Sequence, residues 1–190
     1  ELKLEHYVVS TGLAEMIRGS RIAGNLEGIW ASEFIERPAS PGADLSATPE
    51  AGEISQIAYF LDNTTKTRAI FEINKCVNKL PGITVNDLIP EEERRVPMRN
   101  MIYIADGPSD IPSFSVIRKH GGLAYAVYDR QSEERFRQAD RLREQGRVDA
   151  YGPCHYSEGG QTDMWLRFQV ENVAGRIMAD RTHALESRVG

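Results

Sequence analysis

The chain reads as an α/β domain on a parallel sheet, and three stretches predict it. Residues 101–110 run Met-Ile-Tyr-Ile-Ala-Asp-Gly-Pro-Ser-Asp, an apolar strand that ends in two carboxylates, Asp106 and Asp110. A parallel strand covered on both faces stays apolar to its carboxyl end, where open α/β sheets bind ligands. A second apolar run ends in Ser10, Thr11 and Gly12, ahead of a helical-looking segment at 13–18. A third, 123–127, leads into a charged amphipathic helix at 132–144. With 190 residues and 41% apolar content, one domain with a substantial core is the expected count.

The other elements follow in order. Residues 28–36 and 54–61 read as strands around a loop, 37–53, that holds Pro38, Pro41, Pro49, Gly42 and Gly52. Such a length marks either a mobile surface loop or a substrate-contacting lid. Asp62 to Thr67 opens a helix that continues through 68–80, with Ile70, Ile73, Val77 and Leu80 at helical spacing and Lys66 in the first turn. Beyond Asp110, 112–120 is a short helix. A longer one, 162–185, carries Leu166, Val170, Val173 and Ile177 on one stripe, which reads as core packing. Residues 149–160 read as a loop. Its Cys154-His155 pair is an ordinary loop feature, because adjacent residues do not converge on one ion and no second His or Cys lies at ligand spacing.

The strand ends carry the chemistry. Mg2+ takes oxygen ligands and uses one or two protein carboxylates, with water and substrate phosphate filling the rest. Asp106 and Asp110 supply such a pair, and Gly107 and Pro108 favour the sharp turn between them. The plainer alternative is a polar turn with an Asp helix cap. Ser10, Thr11 and Gly12 offer a hydroxyl and backbone N–H groups for an anion, or an ordinary N-cap. Lys66 stands against the helix dipole, a local cost of about 0.3–1 kcal/mol that a bound phosphate would offset; a surface lysine is the bland reading.

In this order the pieces resemble the haloacid dehalogenase (HAD) superfamily, in its phosphoserine-phosphatase-like branch, over residues 1–129. Val8-Val9-Ser10-Thr11-Gly12 matches its second motif, Lys66 the third, and Ala105-Asp106-Gly107-Pro108-Ser109-Asp110 the fourth, with Ala105 in place of the usual glycine and Ser109 in place of a frequent asparagine. The resemblance implies a Rossmann-like parallel sheet with helices on both faces. It also implies a Mg2+-dependent phosphohydrolase acting on a small phosphorylated metabolite through an aspartyl-phosphate. Ser10 and Lys66 would be catalytic; Ser10, Thr11, Gly12 and Lys66 would bind phosphate. Asp106 would bind Mg2+, and Asp110 would bind it directly or through water, or orient Lys66.

The first motif, which carries the nucleophile, has no match. The nearest lookalike, 57–65, has Thr64 where a second aspartate belongs, so Asp62 reads as a strand-end or capping residue. In the family that strand is central, between those of the second and fourth motifs. Without it two apolar strands keep unpaired backbone groups. Residues 1–190 are therefore expected to form a partial HAD-like core, with a flap insertion at about 28–61 and a C-terminal helical extension at about 130–190. A front segment or a second chain is expected to complete the sheet, and this chain alone to be inactive. The alternative is a non-catalytic scaffold that binds phosphate or a partner.

Charged residues make up 27% of the chain, the net charge is -5, and basic residues are scattered. That balance predicts neither nucleic-acid nor membrane binding. No apolar run approaches the roughly 18 residues of a membrane span. Two distant cysteines, Cys76 and Cys154, read as reduced thiols, and cytoplasm is the expected compartment. No dinucleotide loop, Walker A loop or His-Glu-x-x-His helix is present.

Overall fold

Val8 and Val9 pair in parallel with Ile29 and Trp30, which makes β1 (Tyr7–Leu13) and β2 (Gly28–Glu36) the start of one sheet. The computed structural model describes residues 1–36 and 54–186. The expectation for the loop at 37–53 lies outside them. An antiparallel β3 (Ile54–Tyr59) completes the sheet in the order β1-β2-β3. A second, wholly parallel sheet has the order β4-β5-β6, from β4 (Ile102–Ala105), β5 (Leu123–Tyr128) and β6 (Ala150–Pro153). Five α-helices accompany the described strands: α1 (Ala14–Arg18), α2 (Thr65–Lys75), α3 (Ile111–Lys119), α4 (Glu133–Glu144) and α5 (Gln161–Glu186). The α/β class with parallel strands and helices is as the sequence predicts.

Alternation along β5 explains why helices cover both faces of the second sheet. Ala124 and Ala126 point to one side and pack with Phe114 of α3 and Ala139 and Leu142 of α4. Tyr125 points to the other, where its ring lies 4.4 Å from that of Trp165 on α5 and its hydroxyl meets Thr162 Oγ1 at 3.1 Å. Successive side chains of a strand point to opposite faces, so the small residues meet α3 and α4 while the large one meets α5. Gly122 serves the turn from α3 into β5, where a Cβ would fall 2.3 Å from the Met98 carbonyl oxygen. A second cluster, Ile70, Met98 and Ile117, joins α2 to α3, with Tyr103 and Phe71 against it.

Several elements differ from the sequence reading. The helix expected through residue 80 stops at Lys75, because Cys76 takes a left-handed conformation (φ 67°) and Val77 N–H donates back to the Glu72 carbonyl. This is the usual left-handed helix stop, made without glycine. Leu80 is exposed. Within the segment read as a loop at 149–160, residues 150–153 form β6, whose register sets Tyr125 against Ala150. The α5 stripe is only half-buried and Thr162 is the one buried residue of that helix. Packing against a single sheet face at its first turns leaves most of α5 at the surface.

Ahead of β1, the Glu5 carboxylate is nearly buried and takes hydrogen bonds from Arg95 Nη1 (2.7 Å), Tyr7 Oη (2.6 Å) and Lys79 Nζ (3.0 Å). The Arg95 guanidinium contacts both carboxylate oxygens. Hydrogen bonding from Arg95 holds the Glu5 carboxyl far below the usual range, with Tyr7 and Lys79 adding to it and burial opposing. A depressed folded pKa contributes stability that is complete above the unfolded value of about 4.3 and is lost as pH falls toward the folded one. Glu5→Gln is expected to cost about 2 kcal/mol at pH 7, as for loss of charge-assisted hydrogen bonds at a nearly buried carboxylate. Urea unfolding checks this, and the gap from wild type should shrink steadily below pH 4.

Candidate active site

Lys66 and Asp110 lie 44 residues apart and meet in the interior. The Lys66 ammonium donates to Asp110 Oδ1 at 2.9 Å and to Oδ2 at 3.1 Å, with side chains 8% and 4% exposed. Each is delivered by a short local device. Asp62 Oδ1 accepts the N–H groups of Thr64 and Thr65 at 2.8 and 2.7 Å, which starts α2 and places Lys66 in its first turn. Those same bonds, Thr65 first, hold the Asp62 carboxyl below its ordinary value. Asp62, two residues ahead of the N-cap position Thr64, thus holds the turn that opens α2, in line with the second of the two readings, strand end or cap, that the sequence leaves open. Asp110 closes a 3-10 turn, Pro108–Asp110, between β4 and α3.

The anion beside Lys66 is therefore Asp110, which answers the dipole conflict seen in the sequence without invoking a ligand. Both Asp110 oxygens carry a second donor: Tyr103 Oη to Oδ1 at 2.7 Å, and Ser109 Oγ to Oδ2 at 3.0 Å. Burial first, and then the Asp110 contact, push the Tyr103 phenol well above its ordinary pKa, while the neighbouring Ser113 hydroxyl offsets part of the rise. Ser113 Oγ is itself buried without a partner of hydrogen-bond geometry among the described residues. With four acceptor contacts taken, Asp110 is placed to orient Lys66, one of the roles open to it from sequence.

Asp106 differs from Asp110 in every respect. It follows directly on the carboxyl end of β4, is exposed, and makes no hydrogen bond or ion pair among the described residues. Its strand is less covered than its apolar sequence predicts, with Ile104 exposed, because among the described residues β4 is an edge strand with β5 as its one neighbour.

Ser10, Thr11 and Gly12 fall inside β1 near its carboxyl end and do not cap α1, whose N-cap is Leu13 with no side-chain bond. Ser10 Oγ accepts the Gly12 N–H at 3.0 Å, which leaves the hydroxyl proton for another acceptor. Thr11 and Gly12 are exposed. The link from these residues to Lys66 is one that sequence reasoning missed. Ser32 Oγ, on β2, donates to the Thr11 carbonyl at 3.1 Å and accepts the Leu61 N–H at 3.2 Å. Ser32 is almost fully buried and Leu61 entirely so. The segment leading into α2 is thus tied to β1 through Ser32, and α2 itself to β4 through Asp110 and Tyr103. Ser32 has no motif of its own, and it lies beside Ala31 as one of two adjacent buried residues of β2, so no alternation in the sequence marks it.

Cys154 and Cys76 are both unpaired, the first exposed and the second buried, as expected for reduced thiols. His155 Nε2 contacts Ser157 Oγ at 2.7 Å on the exposed turn after β6. Among the described residues no cluster of three or more His, Cys, Asp or Glu side chains could hold a metal ion, and no helix is long and apolar enough to cross a membrane.

No protein-family model matches the chain, and no solved structure matches it. It is similar to an uncharacterized protein of Borreliella burgdorferi (strain ATCC 35210 / DSM 4680 / CIP 102532 / B31), with 33% identity over 169 residues. That alignment covers 86% of this chain and 56% of the relative, so the chain spans little more than half the length of the protein it matches.

Proposed function

We propose that these residues form the phosphate-binding and metal-binding part of a Mg2+-dependent phosphohydrolase of the HAD type, acting on a small phosphorylated metabolite. The observation that carries this reading is the buried Lys66–Asp110 pair, with Asp110 in the turn that follows β4 and Lys66 just after Leu61, which Ser32 links to the Thr11 carbonyl of β1. A buried ion pair adds little stability over apolar residues of similar volume. Its place at the ligand-binding edge of an α/β fold therefore supports a catalytic role.

Each residue then has a task. The Ser10 hydroxyl donates its proton to a phosphoryl oxygen, with Thr11 and Gly12 beside it. Lys66 directs its remaining N–H, unused among the described residues, to the charge that develops on the phosphoryl group. Asp106 is an uncommitted oxygen donor of the kind Mg2+ takes, whereas the Asp110 oxygens are occupied and act through Lys66. Bound Mg2+ neutralises phosphoryl charge. A carboxylate from outside these residues attacks phosphorus, the ester oxygen leaves with a proton from a second carboxylate, and water hydrolyses the resulting acyl phosphate. Among the described residues β1 and β4 are both edge strands, which fits a further strand, from another segment or a second chain, completing the sheet.

The test is hydrolysis of para-nitrophenyl phosphate by the full-length protein with and without Mg2+. Metal-dependent release of nitrophenol is the expected result. Absence of turnover with retained phosphate binding would replace this reading with the scaffold one.

A further inference from the structure

We propose that Tyr103 is a positioning residue that sets the Lys66–Asp110 pair, through the hydrogen bond its hydroxyl donates to Asp110 Oδ1 at 2.7 Å. Tyr103 sits on β4 and packs against both core clusters. Its ring meets that of Phe114 edge-on, with centroids 5.7 Å apart and planes at 85°. Backbone and packing therefore hold the phenol from below, and the hydroxyl tip has a fixed place. Phenylalanine would satisfy the same apolar contacts, so the hydroxyl is the part that packing does not require.

Asp110 needs that donor. The terminal torsion of a carboxylate is broad, so Lys66 alone leaves the plane of the Asp110 oxygens free to turn. Tyr103 on Oδ1 and Ser109 on Oδ2 close the two sides, and Lys66 is left spanning both oxygens at 2.9 and 3.1 Å. Ser109 is exposed, where water competes for its bond, so the largely buried Tyr103 is the stronger constraint. The aim of the third Lys66 N–H is thereby set from β4.

The kinetic half of the test rests on the hydrolase reading, and the spectroscopic half does not. In the full-length protein, Tyr103→Phe is expected to lower kcat about tenfold with KM within about twofold, the lower end of what a hydrogen bond to a charged group is worth. In the 1H–15N spectrum the Lys66 ammonium signal, assigned by its loss in Lys66→Met, is expected to exchange with water at least about tenfold faster than in wild type. Para-aminophenylalanine at position 103 keeps an N–H donor and is expected to restore both. An unchanged ammonium signal in a folded Tyr103→Phe protein overturns the proposal, as does failure of the folded amino variant to restore it. If wild type turns over no phosphate ester while the ammonium signal responds as expected, the hydrolase reading falls and the positioning role of Tyr103 stands.

Discussion

Lys66→Met in the full-length protein is expected to lower Mg2+-dependent phosphate-ester hydrolysis by about 10²–10³-fold, the loss that follows removal of one preorganised oxyanion donor. Methionine keeps the length and apolar stem of the side chain, so α2 retains its contacts through Ala69, Ile70 and Ile73. What disappears is the charge. A second effect is separable from the first. Asp110, 4% exposed, would keep Tyr103 and Ser109 as its partners among the described residues. Breaking a buried pair from one side typically costs about 3–5 kcal/mol. Urea unfolding should register this, and Lys66→Met/Asp110→Asn, which removes both charges, should recover much of the stability and none of the turnover. A loss of activity below tenfold in the single variant would remove Lys66 from the mechanism.

Asp106→Asn is expected to do the reverse: little to stability and nearly everything to metal dependence. Its carboxylate is exposed and uncommitted among the described residues, so unfolding should shift by no more than about 0.5 kcal/mol. Loss of a directly bound carboxylate should exceed the roughly 10–100-fold weakening of metal affinity that follows loss of an outer-sphere partner. Titration of activity with Mg2+ reads this directly. Equal half-saturation in wild type and Asp106→Asn would sink the metal assignment, whatever the effect on rate. The two variants thus separate the two carboxylates, one buried and tied to Lys66, the other open at the strand end.

Much of the local structure was legible because its causes are local. The strand 28–36 matches β2 at both bounds, and Ser132 precedes α4 with its hydroxyl accepting the Arg135 N–H at 3.2 Å. Asp62 reads as a cap because its carboxylate reaches N–H groups only two and three residues ahead. Elements that failed to announce themselves depend on distant partners. The strand β6 contains Gly152 and Pro153, residues of turns, and forms because β5 offers an open parallel edge. Cys76 ends α2 in a conformation for which glycine is the usual signal, and its side chain is buried there.

The candidate site divides in the same way. Sequence by itself determined which residue types stand at the strand ends and helix start: Ser10, Lys66, Asp106 and Asp110, with an α/β alternation around them. Only the tertiary structure decided that Asp110 belongs to Lys66 rather than standing open like Asp106. It alone decided that Tyr103 and Ser32, apolar-strand and small-residue positions in the sequence, hold the parts in register. The physical reason is range. Periodicity, capping and turn chemistry act over a few residues, whereas a contact across 44 residues exists only once α2 and α3 have packed and water has been excluded from the space between them.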